Sequence, residues 1–78
     1  MKLPRGVSAN RLIRALTTLG YVTIRQQGSH IRLRHPGPPA HSVTAPNHDP
    51  LKTGTLHSII AGVANAMQVK VDSILSLL

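Results

Sequence analysis

The sequence predicts an α+β fold, α-β-β-β-α with a short helix at the end, in which a three-stranded antiparallel sheet carries its helices on one face. Three observations predict it. Residues 8–19 repeat apolar side chains at helical spacing, residues 21–25 and 30–34 alternate with period two around a Gly-Ser turn, and helical spacing returns after residue 53. A chain of 78 residues is expected to form a single domain, residues 1–78, with one small core. Chains this short bury only about 60% of their unfolded surface.

The first helix is expected from Ser8 to Leu19. The Ser8 hydroxyl can accept from the free N–H groups of the first turn, and Val7 and Leu12 stand at the spacing of a hydrophobic staple. Leu12, Ile13, Leu16 and Leu19 form the apolar face, and Gly20 supplies the left-handed stop. In Tyr21-Val22-Thr23-Ile24-Arg25 the alternation puts Val22 and Ile24 on one face and Tyr21, Thr23 and Arg25 on the other. After the turn Gln26-Gln27-Gly28-Ser29, the strand His30-Ile31-Arg32-Leu33-Arg34 turns Ile31 and Leu33 inward, so the two strands read as a hairpin.

His35-Pro36-Gly37-Pro38-Pro39 marks a loop, and a weaker third strand is expected over residues 41–45 before the turn Asn47-His48-Asp49-Pro50. Thr53 is the expected cap of the second helix, whose apolar stripe is Leu56, Ile59, Ile60, Val63 and Met67. Gly62 inside that helix costs about 1 kcal/mol relative to Ala. Residues 71–78 read as the short last helix.

This arrangement leaves one sheet face open, and the expected occupants are Thr23, Arg25, His30, Arg32 and Arg34. The chain as a whole is cationic: nine Lys and Arg stand against two Asp and no Glu, a formal charge of +7. That balance predicts a polyanionic partner, nucleic acid above all. A membrane role is disfavoured because no apolar run approaches the ~18 residues of a span, and the N-terminus lacks a signal peptide's apolar region. A cytoplasmic protein is the expectation. With no cysteine, a disulfide framework and thiolate metal ligation are excluded.

At this point a family resemblance enters. Lys2-Leu3-Pro4-Arg5 leads into a helix ending in Leu19-Gly20-Tyr21. Then come Arg25-Gln26-Gln27-Gly28-Ser29-His30, His35-Pro36, Pro46-Asn47-His48, and Gly54-Thr55-Leu56 opening a helix. This succession resembles the HicA (YcfA-like) mRNA-interferase toxins over about residues 2–60, with Gly28-Ser29-His30 as the central match. The resemblance implies a fold like that of double-stranded-RNA-binding domains and RNA cleavage dependent on the histidine after Gly-Ser, here His30. It also implies a HicB-type antitoxin that binds the toxin and covers its active site. The sequence departs from the family in the apolar run Ala61–Gln68 and in Lys70, which stands where a small polar cap is expected.

The chemistry fits those residue types. RNA carries its own nucleophile, the 2′-hydroxyl, so cleavage needs a base, an acid for the leaving 5′-oxygen, and cations for the phosphate. An ordinary histidine titrates close enough to neutrality to serve as acid or base. The forked guanidinium groups of Arg25, Arg32 and Arg34 suit a phosphorane-like transition state. His30 is therefore the candidate catalytic residue, with Arg25, Gly28, Ser29, Arg32, Arg34 and Lys52 as RNA contacts and His48 as a possible second proton-transfer group. His35, His41 and His57 are expected to be structural or idle. No histidine pair has the short spacing of a helical metal-ligand set, so no metal or small-molecule cofactor is expected. The alternative reading is a non-catalytic RNA-binding module. Against it, only Lys52 stands near the start of the second helix, and Tyr21 alone is a poor stacking platform. A domain whose basic face serves only an acidic protein is a third possibility that charge by itself does not separate.

Overall fold

The structure, a computed structural model, describes residues 2–78. Helix α1 spans Ala9–Thr18, strands β1, β2 and β3 span Val22–Gln27, His30–His35 and His41–Pro46, and helices α2 and α3 span Thr53–Met67 and Val71–Leu75. The sheet is antiparallel throughout, in the order β1-β2-β3, so β2 is the central strand. The expected α-β-β-β-α order, with a short final helix, is the one observed.

Local chemistry explains the boundaries of α1. Ser8 is extended, and its hydroxyl oxygen accepts from the Arg11 N–H at 3.1 Å, which occupies one of the unpaired donors of the first turn. The helix ends where Gly20 takes φ +102° and Tyr21 returns its N–H to the Leu16 carbonyl. The cap of α2 differs from expectation. Thr53 is the first helical residue, and the cap position falls to Lys52, which has no capping side-chain bond. At the far end Gln68 takes φ 55°, and its side-chain amide donates to the Asn65 carbonyl at 2.7 Å. Lys70 precedes α3 without capping it.

One core holds the layers together. Ile31 and Leu33 of β2 and Ala45 of β3 meet Leu12 and Leu16 of α1, Leu56, Ile60 and Val63 of α2, and Ile74 of α3 in a single buried cluster. On α2 the buried stripe ends on Ala64, with Ile59 and Met67 packed at its margin.

Strand β1 corrects the sequence reading. Tyr21, expected on the open face, is 1% exposed, whereas Val22 and Ile24 are 60% and 51% exposed. Register gives the reason. Val22 lies opposite Arg34 and Thr23 opposite Leu33, but Arg25 lies opposite Arg32, so the ladder is bulged at Ile24. A bulge inserts one residue and reverses the alternation beyond it. Tyr21 and Thr23 thus share the core side while Arg25 stays on the open face; only Thr23 of the expected open-face set is displaced from it. The tyrosine ring wins the inward position because it buries more apolar area than Val or Ile and finds a partner for its hydroxyl.

Two glycines should respond in opposite ways to alanine. At Gly20 the positive φ is strained for any side chain, and a Cβ would come within 3.0 Å of His35 Nε2. Gly20→Ala is expected to destabilise by about 1–2 kcal/mol. At Gly62 a Cβ meets nothing within 4 Å, so Gly62→Ala should stabilise by about 0.5–1 kcal/mol. Urea unfolding midpoints of the two variants should move to opposite sides of the parent.

Candidate functional site

The open face of β2 follows from its buried face. Ile31 and Leu33 are 5% and 0% exposed, and because strand side chains alternate, His30, Arg32 and Arg34 must face away from the helices. All three are exposed. Strand pairing surrounds them with partners of the same face. Gln27 and Pro46 lie opposite His30, Arg25 and Thr44 opposite Arg32, and Val22 and Ser42 opposite Arg34. Arg32 Nη1 reaches Thr44 Oγ1 at 3.5 Å. The sequence reading missed Thr44 and Ser42, since nothing in a weakly patterned third strand said which of its residues faced out.

Electrostatically the face is one-sided. Arg25 and Arg32 are directly opposed across the strands, a like-charge juxtaposition that costs stability. The two side-chain carboxylates of the chain, Asp49 and Asp72, lie in the turn before α2 and on α3. The guanidinium groups of the face are left to attract an external anion.

The position of His30 depends on the hairpin turn. Gly28 takes φ 58° and Ser29 does not join it at positive φ, the pattern of a two-residue turn with Gly first. That turn sets Gln27 opposite His30, so the histidine is the first residue of β2 and sits at the end of the sheet. Three backbone bonds bring other segments to the same end. Asn47 donates its N–H to the Ser29 carbonyl, Ala9 donates to the His48 carbonyl at 2.9 Å, and Leu51 donates to the Val7 carbonyl at 2.8 Å. The exposed His48, the start of α1 and the exposed Lys52 at the start of α2 therefore lie at the His30 end of the molecule.

The remaining histidines divide as their surroundings dictate. His57 is exposed on α2. His35 and His41 build a structural cluster with Tyr21 at the opposite end of the sheet, in keeping with the expectation that they are structural. The His35 and His41 rings stack at 5.2 Å, and Tyr21 packs against both, at 4.9 and 5.3 Å. His35 Nε2 donates to the Leu19 carbonyl at 3.0 Å while its Nδ1 accepts from Gly37 N–H at 2.9 Å. His41 Nδ1 donates to the Pro39 carbonyl at 2.7 Å, leaving Nε2 to accept from the Tyr21 hydroxyl. Every nitrogen of the pair is engaged, which ties the Pro-rich loop to the end of α1. Among the described residues there is no group of three His, Cys, Asp or Glu side chains suited to hold a metal ion.

A family model described as HicA toxin of bacterial toxin-antitoxin matches residues 9–64. The chain belongs to the HicA toxin family. The match runs from the first residue of α1 through most of α2, so it contains the whole sheet, the Gly28-Ser29-His30 turn and Lys52. No curated protein matches the chain, and no solved structure does. As a HicA-family toxin it is one half of a toxin–antitoxin pair. No helix among its described residues is long and apolar enough to cross a membrane.

The Tyr21 cluster has a consequence for pH dependence. Burial pushes the Tyr21 phenol above its ordinary value of 10.0, because the ionised form loses hydration. A group whose folded pKa is raised lends stability that is complete below the unfolded value and lost as pH climbs through the folded one. Stability should therefore begin to fall above about pH 10. Since Tyr21 is the chain's one tyrosine, phenolate absorbance should titrate at higher pH in folded than in urea-unfolded protein. In Tyr21→Phe the alkaline loss of stability should be smaller.

Proposed function

We propose that this HicA-family toxin is a metal-independent endoribonuclease that cleaves mRNA through His30, inhibits translation, and is held in check in the cytoplasm by a HicB-type antitoxin. The observation that carries this reading is the placing of an exposed histidine on one face, in register, with three guanidinium groups and no carboxylate. An imidazole beside a phosphate-binding surface is the minimum equipment for cleaving RNA, whose 2′-hydroxyl is the nucleophile.

In the proposed step His30 takes the proton from the 2′-hydroxyl as that oxygen attacks the adjacent phosphorus. The P–O5′ bond breaks, the leaving oxygen gains a proton, and the products are a 2′,3′-cyclic phosphate and a 5′-hydroxyl. His48, at the same end of the molecule, is the candidate donor of that second proton. Arg32, Arg34 and Arg25 stabilise the charge that accumulates on the phosphoryl oxygens, where a fork of fixed donors is most effective. Gly28 and Ser29 offer backbone close to the scissile bond, and Lys52 adds a cation at the start of α2. A purely affinity-based RNA module is less well supported, because the sole aromatic side chain, Tyr21, is buried and offers no stacking surface.

Cleavage of a long unstructured RNA in EDTA by the parent and by His30→Ala tests the assignment. The parent should yield cyclic-phosphate ends, and the variant should lose about 100- to 10,000-fold in rate with its circular dichroism unchanged. Equal cleavage by both removes His30 from the mechanism. Binding without cleavage by either favours the non-catalytic module. Arg32→Gln and Arg34→Gln should each weaken RNA binding and lower the slope of log affinity against log salt by about one.

A further inference from the structure

The two aliphatic side chains that β1 leaves exposed are the least expected feature of the molecule. Val22 and Ile24, 60% and 51% exposed, line a hollow of about 250 Å³ together with Arg34 and Pro36. Single exposed apolar residues are ordinary on protein surfaces. Here two β-branched residues and a proline adjoin on one strand pair, with a guanidinium in the same hollow. His30 lies at the other end of β2, four residues from Arg34, a separation of about 13 Å along an extended strand.

We propose that this hollow is an anchoring site for a protein segment of the antitoxin, a segment that inserts an apolar side chain between Val22, Ile24 and Pro36 and sets a carboxylate against Arg34. The inference rests on the reading that a protein antitoxin binds this chain, and it locates part of that contact away from His30. The lining chooses protein over nucleic acid. Bases of single-stranded RNA are commonly stacked on aromatic side chains, and this hollow has none: its apolar lining is aliphatic, and the chain's one tyrosine is buried. An aliphatic hollow with a charged margin instead has the composition of an interface centre, an apolar anchor point with a polar rim. Charge complementarity selects an acidic segment: Arg34 lines the hollow, Arg25 and Arg32 continue the face, and the whole chain carries +7. A segment seated there can continue along β2 and cover His30, with one end fixed by apolar contact and not by charge alone.

Val22→Thr combined with Ile24→Thr tests this, since threonine keeps the branched shape that strands favour while removing the apolar surface. The double variant, the single Ile24→Thr and the parent are titrated calorimetrically with the purified cognate antitoxin, and separately with a single-stranded oligouridine. A His30→Ala background prevents cleavage. Both variants should fold as the parent does, because the replaced groups are exposed. The double variant should lose at least tenfold in antitoxin affinity and change less than twofold toward oligouridine, with Ile24→Thr intermediate. Unchanged antitoxin affinity overturns the proposal, and so does an equal loss toward oligouridine, which would assign the hollow to RNA. A parent that binds no antitoxin overturns both the partner reading and the anchor. Cleavage is not part of the readout, so an inactive ribonuclease leaves this test intact.

Discussion

Central strand β2 is buried on one side under all three helices and paired along both edges. Its Ile31 and Leu33 are locked into the core, and a one-residue slip would exchange them for arginines, exposing two aliphatic side chains and burying charge. That penalty holds the register on both sides. With the register held, His30, Arg32 and Arg34 have no direction available except outward. The cationic face is thus a by-product of core packing: the same alternation that hides two hydrophobic residues displays one imidazole and two guanidinium groups.

The edges of the sheet solve different problems. On the β3 side, pairing from His35–His41 to His30–Pro46 is regular, and β3 contributes small or hydroxyl-bearing residues to the face. On the β1 side the bulge at Ile24 separates two demands on one short strand. Tyr21 must point inward to fill the end of the core and meet His41, while Arg25 must point outward to join the cationic face. Four residues apart on an unbroken strand, both would point to the same side. The bulge removes the conflict; with Tyr21 inward Val22 faces out opposite Arg34, and Ile24 is left exposed at the bulge. Val22 and Ile24 stand in water beside the cationic face, where the proposed antitoxin segment would cover them.

The two ends of the sheet have divided their histidines accordingly. At the Tyr21 end, His35 and His41 spend both ring nitrogens on carbonyls, an amide and a phenol, which leaves them nothing to offer a substrate. At the hairpin end, His30 and His48 are exposed on backbone that is hydrogen-bonded across to the Asn47 and Ala9 amides. The fold therefore ties backbone together where the imidazoles stay exposed, and saturates the imidazoles where they join the loop to α1.

Much of this was legible in the residues themselves. Helix α1 with its Ser8 cap, the Gly28-Ser29 hairpin, the inward Ile31 and Leu33 and the outward His30, Arg32 and Arg34 follow from local periodicity and turn chemistry. Such signals survive without tertiary context, because each is set by neighbours within a few residues. The phase of β1 was not legible, because alternation shows two faces without saying which is buried, and aliphatic Val22 and Ile24 are the usual choice for the core. Only the assembled structure decided it. A tyrosine ring closing the core against His35 and, 20 residues downstream, His41 outweighs local hydrophobicity, and a bulge that no short-range pattern announces restores Arg25 to the open face. The sequence by itself determined which residues could do chemistry, and the long-range packing decided which of them share a surface.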